Sequence, residues 1–233
     1  MNKKMKNNRK PFFRFVKKIV RIFKRKPKIE YLGEKPQKPC IYISNHSAAS
    51  GPATYELYFP VNMRMWGTFE MCSGNKLRWK YLNHIYFHKK KKFSKTLSFL
   101  LATILTPIMA LFYKGMQIIA SFPDNRLSKT IKISIEELER GTSILIYPEN
   151  SSDGYHEILK EYFAGFWLLA KKYYEKTGKD IEIVNMYYHS KSNKVIVSVP
   201  RSYLSLKEIL INKQDVANFF LKDANNMFFK NIK

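Results

Sequence analysis

The chain has 233 residues, room for one domain with a sizeable core plus extensions, and its seventeen Phe and fifteen Tyr exclude wholesale disorder. A net charge of +24 implies an anionic partner: nucleic acid, an anionic membrane or an acidic carrier protein. The two cysteines, Cys40 and Cys72, make no disulfide framework and read as free thiols, and no small-residue cleavage site follows the basic N-terminus to mark a secretory signal.

The charge is concentrated at the start. Thirteen of the 42 basic residues lie between Lys3 and Lys28, ahead of the first acid, Glu30. Phe12, Phe15, Val16, Ile19, Val20 and Phe23 recur at helical spacing, with Arg14, Lys17, Lys18, Arg21, Lys24 and Arg25 on the other side. A helix with bulky apolar groups on one face and cations on the other suits a bilayer interface, where each cation near an anionic leaflet adds about 1 kcal/mol. The competing reading is a helix docked on its own domain. Residues 1–30 are therefore expected to form a basic amphipathic membrane-associating segment, and residues 31–233 the main domain.

Lys28–Pro39 is rich in Lys and Pro and reads as a connector. Cys40–Ile43 reads as a strand, Gly51-Pro52 closes the turn after it, and Thr54–Phe59 reads as a short helix. Residues 60–95 give no clear pattern. Thr96–Tyr113 is eighteen residues without a charge, interrupted by Pro107. As a helix it spans roughly 27 Å, just short of a bilayer core of roughly 30 Å. Strand-like segments on both sides favour a buried core helix or one dipping into a single leaflet over a full span. Further along, Gln117–Ser121 reads as a strand and Ser128–Arg140 as a helix closed by Gly141. Ser143–Tyr147 reads as a strand and Ile158–Thr177 as a helix. Ile181–Tyr188 and Lys194–Val199 read as strands joined around Ser190–Asn193, and Leu206–Phe229 as a helical tail. Alternating strands and helices predict an α/β domain with a mixed, largely parallel sheet flanked by helices.

Two strand exits carry polar turns. Asn45-His46 follows Cys40–Ile43, and Tyr147-Pro148-Glu149-Asn150-Ser151-Ser152 follows Ser143–Ile146. Ligands of α/β sheets gather at the carboxyl ends of strands, so the two turns could face one pocket. His46 is either a general base facing a cleft or a strand-end histidine bonded to a neighbouring carbonyl. Glu149 is either a site residue or an acid at a helix N-terminus. His84 and His88 have metal-compatible spacing but no evident third ligand, so a surface pair is expected. Lys89–Lys92 reads as a solvated run able to touch lipid headgroups.

With Asn45-His46 and, far downstream, Gly141-x5-Tyr147-Pro148-Glu149, the chain resembles the glycerolipid acyltransferases, typified by bacterial lysophosphatidic-acid acyltransferases. The resemblance covers roughly residues 31–200. It implies transfer of a fatty acyl group from an acyl-CoA or acyl-carrier-protein thioester to a lysophospholipid hydroxyl. No cofactor is needed beyond that donor substrate. It further implies His46 as the base, Glu149 beside it, and Asn45, Ser47, Arg126, Pro148, Asn150 and Ser151 as substrate-binding residues, with no metal. The expected partners are anionic membrane lipids and an acyl-carrier protein, not nucleic acid, for which no recognition motif exists. The expected location is the cytoplasmic face of the cell membrane. Two positions depart from the family. Its motif Asp, which orients the imidazole, is Gly51, and its motif Arg, which holds the acceptor phosphate, is Ser152. A catalytically degenerate lipid-binding member is the alternative.

Overall fold

Alternation along the central strands divides the apolar side chains between two faces of one sheet. The structure is a computed structural model and describes residues 9, 11–36, 39–210 and 212–232. Lys3, Lys4, Lys6 and Lys10 of the basic N-terminal cluster lie outside those residues, as does part of the 28–39 connector. The strands are β1 (Lys28–Tyr31), β2 (Ile41–Ser44), β3 (Met63–Thr68), β4 (Ile119–Ser121), β5 (Ser143–Ile146), β6 (Glu182–His189), β7 (Lys194–Val197) and β8 (Arg201–Ser202). They form a mixed, mostly parallel sheet in the order β1-β7-β6-β2-β5-β3-β4, with β8 against β6. Among the described residues the antiparallel pairings are β6 with β7 and β6 with β8, and β1 runs with β7.

Ile41, Ile43, Ile144, Ile146, Ile183 and Tyr187 face one way. There they meet α6 (Leu127–Glu139), α7 (Gly165–Thr177), α8 (Tyr203–Ile209) and α9 (Lys213–Asn231). Tyr42, Leu145, Val184, Met186 and Tyr188 face the other way. That side is covered by α1 (Pro11–Phe23), α2 (Ser50–Tyr58) and the end of α5 (Lys95–Met116). Central strands buried on both faces need apolar side chains at every position, and β2 and β5 are buried throughout.

Several elements differ from expectation. Lys28–Tyr31 is no connector: it pairs in parallel with β7, from Lys28 opposite Lys194 to Tyr31 opposite Val197. The helix expected from Ile158 starts only at Gly165, because Tyr162 bridges back to Glu149 and Phe163 N–H donates to the Pro148 carbonyl. Residues 60–95 resolve into β3, α3 (Phe69–Cys72), α4 (Asn75–Lys80) and a π-helix, Tyr81–Lys90. That π-helix packs against α5 in a hairpin that leaves β3 and returns to its neighbour β4. α5 is the one helix among the described residues long and apolar enough to cross a membrane. It is not a buried core helix: Phe99, Leu100, Ile104 and Leu111 are all more than half exposed.

α1 turns two of its cations, Lys17 and Arg21, towards the domain. Lys17 Nζ lies 2.8 Å from Glu56 Oε1, and Arg21 Nε donates to the Leu57 carbonyl at the end of α2, where a cation also meets the negative helix terminus. Phe13 is its single buried residue, edge-on to Phe112 and against Gly115, where any Cβ would strike the Phe13 ring. Phe12, Phe15, Ile19, Ile22 and Phe23 are left exposed. Phe13→Ala is expected to cost about 3 kcal/mol and to speed tryptic cleavage at Lys17 and Lys18. An unchanged denaturation midpoint and cleavage rate would show that the helix is held by its ion pairs instead.

Candidate active site

The register of β2 against β5 brings the two polar turns together. Ile41 pairs with Ile144 and Ile43 with Ile146. Continued past the strand ends, the same offset sets His46 beside Glu149, and the His46 backbone N–H donates to Glu149 Oε2 at 2.9 Å. On the other side of β2, Asn45 extends the ladder to β6. Its Nδ2 donates to the Tyr188 carbonyl at 2.9 Å and its Oδ1 accepts from the Tyr188 N–H at 2.8 Å. A buried Asn satisfied by one backbone residue pins the exit of β2.

The backbone then turns tightly. Ser47 and Ala48 have φ of 44° and 55°, a left-handed pair that costs about 1–2 kcal/mol per residue without glycine. Gly51 follows, and a Cβ there would lie 2.3 Å from the His46 carbonyl oxygen. The position that holds Asp in the resembling family cannot take any side chain while this turn persists.

Accordingly, no carboxylate among the described residues bonds the imidazole. Its Nδ1 is buried and makes no hydrogen bond. Glu56 is bound to Arg9 and Lys17, Glu70 to Thr68, and Asp153 to Lys160. Aromatic rings surround His46 instead: Tyr147 at 4.8 Å between centroids and Tyr155, stacked, at 5.1 Å. Burial pushes the imidazole down to about 4, helped by the Lys90 charge and only partly opposed by the backbone of Ala48 and of His46 itself. His46 is thus neutral at pH 7. Burial raises the Glu149 carboxyl, against the pull of the His46 and His156 backbone N–H groups and of the His156 and Lys90 charges.

A cleft of about 360 Å³ opens beside these turns. Asn45, Ser47 and Ala48 line one wall, Lys90 and Lys91 another, and Tyr155, His156, Glu157, Tyr187, Tyr188, His189 and Ser190 the remainder. His46 itself does not line it; its ring stacks on Tyr155, which does. Lys90 reaches in from the end of the π-helix. Its Nζ donates to Ser151 Oγ at 2.8 Å and sits 5.3 Å from the Tyr155 ring centroid. Desolvation lowers its pKa, as does the neighbouring Lys89, while Glu149 opposes the shift.

No protein-family model and no curated protein matches this chain significantly. Among solved structures it is similar to the 1-acyl-sn-glycerophosphate (LPA) acyltransferase PlsC of Thermotoga maritima. The identity is 11% and the TM-score 0.48, over 95% of this chain and 82% of that one. A likeness that loose carries no argument about chemistry, which has to rest on the residues themselves.

Of the residues singled out from sequence, Asn45, His46, Ser47, Pro148, Glu149, Asn150 and Ser151 lie in the two joined turns. Several are engaged within the protein. The Pro148 carbonyl accepts from Phe163 N–H, and Asn150 bonds Glu161 through both its backbone N–H and its side chain. Arg126 is elsewhere. It stands beyond β4, three strands from β2 and thus about 14 Å across the sheet. There it is paired with Asp124 at 2.7 Å and lies against Phe69 and Phe122. Sequence reasoning missed Lys90, Tyr155, His156 and His189. Lys90 is hidden in a run of four lysines, and only the π-helical register aims it at the turn. His88 bonds the Phe93 carbonyl and His84 stands edge-on to Trp79, each with its own neighbour.

Gly51→Asp tests the turn. It is expected to destabilise the fold by about 1–3 kcal/mol and to shift the His46 and Ser47 amide resonances. A variant as stable as the parent, with a carboxylate on the imidazole, would show that the turn readily adopts another shape.

Proposed function

We propose that the chain is a membrane-associated O-acyltransferase, moving a fatty acyl group from an acyl thioester to the hydroxyl of a lysophospholipid or related glycerolipid. The observation that carries this reading is the hydrogen bond joining His46 to Glu149 at the carboxyl ends of neighbouring parallel strands. It unites the Asn-His turn and the Pro-Glu turn at the edge of a cleft. His46, neutral at pH 7, takes the acceptor hydroxyl's proton as that oxygen attacks the thioester carbonyl. The thiol leaves with a proton returned from the imidazolium. Lys90 and Lys91 offer the cleft its positive charge, which would meet an anionic headgroup in place of the arginine that Ser152 lacks.

Support for the membrane comes from the surface. The outward face of α1 and the exposed side of α5 present bulky apolar groups beside Arg14, Lys18, Lys92 and Lys95. Anionic phospholipid matches both the apolar groups and the charge. The acidic donor would be an acyl-carrier protein or CoA. A second reading, a lipid-binding chain without turnover, is favoured by one specific observation: the unpartnered Nδ1 of His46.

Two measurements decide. Purified protein with radiolabelled acyl thioester and lysophosphatidate is expected to form the diacyl product. His46→Gln should cut kcat by at least about a hundredfold. With the imidazole titrating at about 4, kcat/KM should stay flat from about pH 8 down to about pH 5 and fall only below that. A His46→Gln enzyme as fast as the parent excludes the base, and no product under any condition favours the lipid-binding reading. Separately, flotation with vesicles rich in anionic phospholipid is expected to carry the chain up. The triple change Phe12→Ser, Phe15→Ser and Ile19→Ser should weaken binding at least tenfold. Equal binding by that variant would assign attachment to other surfaces.

A further inference from the structure

An imidazole that must accept a proton from a substrate has to be held in one plane, and a carboxylate on Nδ1 is the usual means. Here that means is absent. Nδ1 is buried with no hydrogen bond, and Gly51 has no room for a side chain. The Glu149 carboxylate is committed to the His46 backbone N–H. Besides the backbone of Ala48 and of His46 itself, two tyrosines flank the ring, one tilted by 52° at 4.8 Å and one stacked within 30° at 5.1 Å. Both spacings lie in the range of favourable aromatic contact.

We propose that Tyr155, together with Tyr147, is a positioning residue that sets the plane of the His46 imidazole by ring stacking, in the role a carboxylate would otherwise fill. The proposal deepens the acyltransferase reading and rests on it for its catalytic consequence. Tyr155 is itself anchored. Its ring lies 5.3 Å from the Lys90 ammonium, and Lys90 is itself fixed by donating to Ser151 Oγ at 2.8 Å. A ring held by a fixed cation can hold a second ring in turn. Tyr147 is tied by its hydroxyl to Met65 and follows β5 directly, so the other side of the clamp stands on the sheet.

The clamp has a chemical consequence. The ionisable groups around the ring are Glu149 and Tyr147 from the β5 exit, Tyr155 and His156 from the loop beyond, Lys90 from the π-helix and Tyr55 from α2. None of them puts an anion on the imidazole. Stacked rings orient the base while stabilising its protonated form less than a carboxylate would, so a clamped histidine stays neutral where a carboxylate-paired one would charge. The base then returns its proton readily to the leaving thiolate.

The test uses the full chain, with the His46 ring followed by nitrogen-15 NMR in the absence of substrate and acyl transfer measured alongside. Tyr155→Ala is expected to raise the His46 titration midpoint by about one pH unit and to lower kcat about tenfold with KM for the acceptor unchanged. Tyr155→Leu keeps the apolar bulk but loses the ring. It should lower kcat similarly while leaving the midpoint low. Tyr155→Phe keeps the ring and should change neither. The proposal is overturned if Tyr155→Ala moves neither quantity, if Tyr155→Leu turns over as fast as the parent, or if Tyr155→Phe behaves like Tyr155→Ala. A parent chain without acyl transfer would sink the reaction class alone, because the NMR arm still decides whether Tyr155 shields the ring.

Discussion

The parallel register between β2 and β5 governs everything at the site. A parallel pair leaves both carboxyl ends on the same side, and its offset is fixed along the strands by the alternation of Ile41, Tyr42 and Ile43 against Ile144, Leu145 and Ile146. A slip of one residue would turn each of these side chains to the wrong face of a doubly covered sheet. The core therefore dictates that the residue following Asn45 meets the residue following Pro148. The His46–Glu149 hydrogen bond is the visible result, and Asn45 repeats the device towards β6. The polar cluster is only as well placed as the apolar packing beneath it.

A second constraint follows from charge. α1 turns Lys17 and Arg21 towards the domain, where they and the preceding Arg9 satisfy Glu56 and the end of α2. This leaves the apolar residues of the helix facing outward. In water such an arrangement exposes several large side chains at a cost that burial elsewhere would relieve. The proposed lipid surface supplies that burial, and the same argument extends to the exposed side of α5.

Much of the architecture was legible in the sequence, for identifiable reasons. β2, β5 and β6 are short apolar runs ended by polar turns, α6 closes on Gly141 at a φ of 86°, and the β6–β7 hairpin turns at Asn193. What stayed hidden depended on partners distant in the chain. Lys28–Tyr31 carries too few apolar residues to read as a strand and becomes one only because β7 offers an open edge. Ile158–Ala164 has a helical pattern, but its backbone is drawn to the Pro148–Asn150 turn. At the site, the pairing of His46 with Glu149 could be anticipated from two turns at strand ends. The contributions of Lys90 and Tyr155 could not, since a π-helical register and a loop conformation leave no periodic trace. Arg126 was expected at the site only through the resemblance, and β4, the edge strand before it, holds it across the sheet from His46.

The central claim is that the joined turns form the place where an acyl carbonyl is attacked. It is tested most directly by an experimental structure with a ketone analogue of a long-chain acyl thioester. The account predicts the ketone carbon at the mouth of the cleft, close enough for a hydroxyl bonded to His46 to reach it at about 3–3.5 Å, with the acyl chain running towards the exposed side of α5. An analogue bound away from His46 and Glu149, or a His46 ring still sealed behind Tyr155 with the analogue present, would contradict it.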